Sequence, residues 1–156
     1  MVKVLFVCLG NICRSPMAEA VFRHKVKQRG LDDQIEVDSA GTGHWHIGDP
    51  PHEGTRLILD QHQIDHQGIK ARQVTPTDLN HYDWIIAMDE QNVRDLKQIA
   101  PKGTEHKIKL LLDFLPASSS LNVPDPYFTG NFEEVYHIIP QSCDYLLEAL
   151  INEIEK

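Results

Sequence analysis

The chain has 156 residues and a mass of 17.8 kDa, is 41% hydrophobic and 24% charged, and carries a formal net charge of −8 at neutral pH. That composition fits one globular domain and excludes a disordered chain, a coiled coil or two separately folded cores. The acidic balance argues against nucleic acid or an anionic membrane as partner, and no apolar run reaches the roughly 18 residues a membrane span needs. Three Cys without an N-x-S/T site do not make a secreted disulfide framework. A cytoplasmic protein with reduced thiols is expected, or one exported without a signal peptide.

In chain order, Val2 to Val7 reads as a first strand buried on both faces. Cys8 to Arg14 forms a short loop, and Ser15-Pro16 opens a helix with Ser as cap, ended by Gly30. Ile35 to Ser39 is a second strand, followed by a loop rich in Gly, His and Pro from Gly41 to Pro51. A helix over His52 to Gln61, a strand over Asp83 to Met88, a helix opened by Asp89 or Glu90 and a strand over Lys107 to Leu112 follow. The last helix carries Val135, Ile139, Cys143, Leu146, Leu150 and Ile154 at helical spacing, with Pro140 expected to kink it or break its first turns. Ser118-Ser119-Ser120 is the one low-complexity tract. The alternation predicts an α/β fold: a single three-layer domain, a four-stranded parallel sheet flanked by helices, its ligand site beyond the carboxyl ends of the strands. No segment presents an obvious exposed apolar stripe, so a monomer is expected.

The loop Cys8-Leu9-Gly10-Asn11-Ile12-Cys13-Arg14-Ser15 sits where such a sheet binds anions. Consecutive backbone N–H groups can form a nest there, and the following helix adds its positive end. A Cys beside that dipole and an Arg is expected to be a thiolate. Arg14 can grip two oxygens of a phosphoryl group with its planar fork, as Lys cannot. Gly10 and Asn11 tolerate the left-handed backbone of a tight cradle. Ser15 could hydrogen-bond the sulfur or cap the helix.

V-C-L-G-N-I-C-R-S-P-M-A-E resembles the signature loop of the low-molecular-weight protein tyrosine phosphatases, in their bacterial form. The resemblance continues through Ser39-Ala40-Gly41-Thr42-Gly43 with Trp45, Ala71-Arg72-Gln73, Met88-Asp89 and Asp125-Pro126-Tyr127, in order from Lys3 to about Leu147. It implies a phosphatase of protein phosphotyrosine that uses neither metal nor other cofactor. Cys8 would be the nucleophile, Arg14 the phosphate clamp and Asp125 the general acid and base. Leu9, Gly10, Asn11, Ile12, Cys13 and Ser15 would form and support the loop that holds phosphate or another oxyanion, with Trp45 and Tyr127 as aromatic walls. The same resemblance implies a reversible Cys8–Cys13 disulfide. Two departures stand out. Ile69 replaces a His that often precedes the Lys-Ala-Arg stretch, leaving His66 as a possible substitute, and Phe128 replaces the second of two adjacent Tyr.

Plainer readings compete. A Cys ending a buried strand is usually core, Asp-Pro usually starts a turn, and Cys143 on an apolar stripe reads as core. Cys13 divides evenly between packing and function. His52-Glu53-Gly54-Thr55-Arg56 lacks the second His of a zinc helix, and Gly43 to Gly48 is followed by Asp49 where a nucleotide loop needs Lys. Three other roles compete. Phosphoarginine hydrolysis is disfavoured by Ile12 at the rim, where the arginine-specific relatives carry Thr. Thiol-relay arsenate reduction needs a Cys pair that residues 14 to 142 lack. A phosphate-binding module gains nothing from Asp125.

Overall fold

A computed structural model describes residues 1–116 and 120–155, so Ser118 and Ser119 of the serine tract lie outside the described residues. Four strands form one parallel sheet: β1 (Val2–Cys8), β2 (Ile35–Gly41), β3 (Trp84–Ala87) and β4 (Ile108–Leu110), in the order β2-β1-β3-β4. The chain moves from β1 to one side and then returns to the other, so the crevice above β1 is the sheet's switch point. The register sets Cys8 beside Gly41 and Val7 beside Ala87, which brings the carboxyl ends of three strands to one edge.

Alternation within β1 separates two cores. Val4, Phe6 and Cys8 face α1 (Arg14–Gln28) and α6 (Phe132–Ile154), while Leu5 and Val7 face α3 (Pro76–His81) and α4 (Glu90–Ile99). The three-layer α/β architecture expected from the alternation is the one observed. A further helix, α2 (Glu53–Gln61), packs on the α1/α6 side, and α5 (Pro126–Thr129) is a single turn after Asp125. Among the described residues no helix is long and apolar enough to cross a membrane.

Four expectations need correction. Ser15 is not the cap of α1: the helix begins at Arg14 with Cys13 at the cap position, and no side chain caps it. Pro16 then stands third in the helix, where the N–H has no intrahelical acceptor in any case. Of the two loop residues able to supply the left-handed backbone, Asn11 adopts it (φ 57°) and Gly10 does not. Pro140 does not break the first turns of α6, which runs unbroken for 23 residues. The stripe Val135, Ile139, Cys143, Leu146, Leu150 is fully buried, and that burial outweighs one missing backbone bond. Finally, although the sequence shows no obvious exposed apolar stripe, Trp45 and Ile47 on the loop after β2 and Tyr127 and Phe128 on α5 are large apolar side chains left exposed. Gly30 does end α1, with φ 69°.

The missing backbone bond yields a test. Pro140→Ala restores an N–H for the Tyr136 carbonyl and should raise stability by about 1–2 kcal/mol, less than the full Pro penalty because Pro also restricts the unfolded chain. A shift of the urea midpoint upward at constant slope would register it.

Candidate active site

The segment from Cys8 to Arg14 leaves β1, turns at left-handed Asn11 and enters α1. Its carbonyls are bound from outside. Thr42 N donates to Cys8 O (2.9 Å), Gly43 N to Leu9 O (2.8 Å) and His52 N to Ile12 O (2.7 Å). Thr55 Oγ1 donates to Cys13 O at 3.2 Å. In a trans peptide the next N–H points opposite its carbonyl, so the amides of Leu9, Gly10, Cys13 and Arg14 turn inward. Asn11 N joins them by donating to Cys8 Sγ (3.3 Å). Gly41 permits this closeness, since a Cβ there would stand 2.8 Å from Leu9 O and 3.1 Å from Asn11 Cβ.

Behind the loop runs an ordered chain of hydrogen bonds. Asn11 Nδ2 donates to Ser15 Oγ (2.8 Å) and to Ser39 Oγ (3.0 Å), while Asn11 Oδ1 accepts from Arg72 N (3.0 Å). Ser15 Oγ, having accepted from Asn11, has its own hydrogen free for Cys8 Sγ at 2.9 Å. Ser39 Oγ donates to Glu19 Oε1 (2.6 Å), and Glu19 also pairs with Arg23. Burial raises the Glu19 pKa above the usual carboxylate range, against the opposing pull of Arg23 and Ser39. His66 does not replace the missing His behind the loop, because it pairs with Asp60 near the end of α2. Ser39, Glu19 and the Arg72 amide carry that support.

Arg14 is only 2% exposed, and its positive charge is met from two loops. Nη1 donates to Asp89 Oδ2 (2.7 Å) and to Val123 O (3.0 Å), and Nη2 to Asp125 Oδ2 (3.3 Å). Burial works to lower the guanidinium pKa, but Cys8, Asp89 and Asp125 outweigh it and hold the pKa above its ordinary value. Both carboxylates are themselves fixed. Asp89 caps α4 in a reciprocal box with Asn92, and Asp125 caps α5 by accepting from Tyr127 N (3.1 Å). The buried Nε–H of Arg14 has no partner among the described residues.

Above the loop lies a cavity of about 360 Å³, lined by Cys8, Leu9, Gly10, Ile12, Cys13, Arg14 and Asp125 and walled by Trp45, His46, Tyr127 and Phe128. Asn11 and Ser15 stand behind this lining, in the supporting chain. Sequence reasoning named neither His46 nor Phe128 as a wall and gave Asp89 no role. Asp89 in Met88-Asp89 was in view, but nothing local says that its carboxylate reaches a residue 75 positions away.

Against known proteins, residues 3–156 match the model of the family described as low molecular weight phosphotyrosine protein phosphatase. The low molecular weight protein-tyrosine-phosphatase YfkJ of Bacillus subtilis is 54% identical over 154 residues, 98% of each chain. The chain belongs to this family. The crystal structure of YfkJ superposes on this phosphatase with a TM-score of 0.96 at 52% identity, covering 98% of this chain and 96% of that one. PtpA of Staphylococcus aureus is 48% identical over 98% of this chain and 96% of its own. The crystal structure of a Drosophila arginine phosphatase also matches, with a TM-score of 0.88 at 35% identity over 96% of this chain and 98% of that one.

The three thiols of this family member differ in surroundings. Cys13 is buried beside Cys8 and Asp125, and desolvation pushes its pKa up to about 12; Cys143, fully buried, is pushed up further. Both should stay protonated and resist alkylation by iodoacetamide at pH 7.5 in the folded protein, then react on unfolding in urea. Peptide mapping by mass spectrometry reads this directly, and fast native labelling of either residue would contradict the assignment.

Proposed function

We propose that this phosphatase hydrolyses phosphotyrosine in proteins through a phosphocysteine on Cys8. The observation that carries the reading is one cavity lined by Cys8 and Arg14, where the loop amides turn inward, Asn11 N meets the Cys8 sulfur, and the buried Arg14 Nε–H has no partner among the described residues. Cys8 Sγ, faced by the Asn11 amide and the Ser15 hydroxyl, attacks phosphorus as the thiolate. The P–O bond breaks, and Asp125 gives its proton to the departing phenolate oxygen. Arg14 and the amides hold the equatorial oxygens, with the fork's Nε and Nη2 side turned to the phosphoryl group. In the second half the Asp125 carboxylate takes a proton from water as that water attacks phosphorus. The S–P bond breaks, and inorganic phosphate and the thiolate are released. Cys13, held as a thiol, does not compete as nucleophile.

The lining favours an aromatic ester. Trp45 and Tyr127 stand at the mouth, and Phe128 extends the wall. Apolar Ile12 beside the loop suits a phenyl ring better than a planar, hydrogen-bonding guanidinium. The Drosophila relative named an arginine phosphatase shows that the same fold accommodates the other substrate, so the leaving group is the variable to test. The partners of this reading are phosphotyrosine proteins, met by a monomer.

Two variants test the roles. Asp125→Ala should cut turnover by roughly 10²- to 10³-fold on phenyl phosphate, a poor leaving group, and far less on an activated aryl phosphate. An equal loss on both would remove Asp125 as general acid. Arg14→Lys keeps the charge but loses the fork, and should lower turnover by at least roughly 10²-fold. Near-normal rates would overturn the clamp.

A further inference from the structure

Across Leu9 and Trp45 from the catalytic cavity lies a second groove of about 330 Å³, which the chemistry above does not use. Its base is the strand exit at Thr42 and the segment at Gln73, joined by an isolated parallel bridge between Gly41 and Gln73. Its far wall is α4, through Asp95, Gln98 and Ile99. Trp45 is the partition. Its indole lies against bare Gly43, where a Cβ would be 1.9 Å from Trp45 Cζ3, so the ring is seated against the backbone.

The polar groups offered by this groove are weighted toward acceptors. Asp95 is the single charged residue lining it, and one carboxylate oxygen is spent on Gln91 (2.9 Å), leaving the other. Gln73 donates its amide to Thr42 O (3.3 Å), which leaves its own carbonyl oxygen available. Thr42 Oγ1 is buried with no partner among the described residues. A carboxylate, amide oxygens and an indole together suit a planar cation, which has donors only and is drawn both to charge and to an aromatic ring.

We infer that this groove is a subsite for a basic side chain, arginine above all, flanking the phosphotyrosine of a protein substrate. The inference rests on the phosphotyrosine reading above. The shared wall of Leu9 and Trp45 makes the two pockets neighbours, so the side chain would come from a residue close to the phosphotyrosine in the same peptide. On a chain of net charge −8 the selection comes from one local carboxylate set against an indole.

Steady-state kinetics on phosphotyrosine peptides test it, with arginine, citrulline or glutamate placed in turn at each flanking position. At one position arginine should exceed citrulline by roughly three- to tenfold in kcat/KM, carried by KM, as expected for a cation beside a half-exposed carboxylate and an indole. Asp95→Asn should bring the two peptides together. Gln98→Glu, which adds a second carboxylate, should widen the gap, a gain that misfolding cannot mimic. If no position prefers arginine, or the preference survives Asp95→Asn undiminished, the subsite is overturned while the phosphotyrosine reading stands. If none of the peptides is hydrolysed, that reading fails and the subsite with it.

Discussion

One buried cation organises the site. A guanidinium with 2% exposure would be strongly disfavoured alone, so Arg14 requires the carboxylates of Asp89 and Asp125 and the Val123 carbonyl. Those partners come from two loops: Asp89 caps α4 just after β3, and Val123 and Asp125 lie in the segment that leads into α5. Meeting them fixes how the β3–α4 loop and the Asp125 loop close over the β1–α1 loop. The electrostatic need of one residue therefore brings the proposed acid to the rim of the cavity that holds the proposed nucleophile.

The loop itself is a frame of backbone dipoles. Strand exits and helix starts claim its carbonyls, so its amides are left to face the cavity, an arrangement suited to a negative group. Asn11 is the hinge of this frame. It takes the left-handed conformation and at the same time spends its side chain on Ser15, Ser39 and the Arg72 amide. A glycine would accept the dihedral but leave three partners unsatisfied. The Ser39–Glu19–Arg23 extension carries this rigidity along the same face of α1 toward β2, where a buried carboxylate rather than a His holds the network.

What could be read in the sequence follows from range. The buried apolar runs of β1 and β3 and the long stripe of α6 announce themselves locally, as do the helix-opening Asp89 and the terminator Gly30. The Cys8–Arg14 loop was legible because both ends are local and its place after β1 is a topological one. Helix α3 was missed because six residues carry no apolar period, although Thr75-Pro76-Thr77-Asp78 is a capping-box signal. Ser-Pro is a strong local start signal, but the Ser15 hydroxyl is claimed by Asn11 and Cys8, and the helix begins two residues earlier than that signal implies. Asp89, His46 and Phe128 reach the site only through tertiary folding, which no spacing encodes.

The most direct test of the central claim is phosphate release, in EDTA, from matched phosphotyrosine and phosphoarginine peptides by the unmodified protein and by Cys8→Ser. The account predicts turnover of the tyrosine peptide by the unmodified protein, far slower turnover of the arginine peptide, and loss of both in Cys8→Ser. Tyrosine turnover surviving in Cys8→Ser would contradict the cysteine mechanism, and preference for the arginine peptide would contradict the aromatic selection by Ile12, Trp45 and Tyr127.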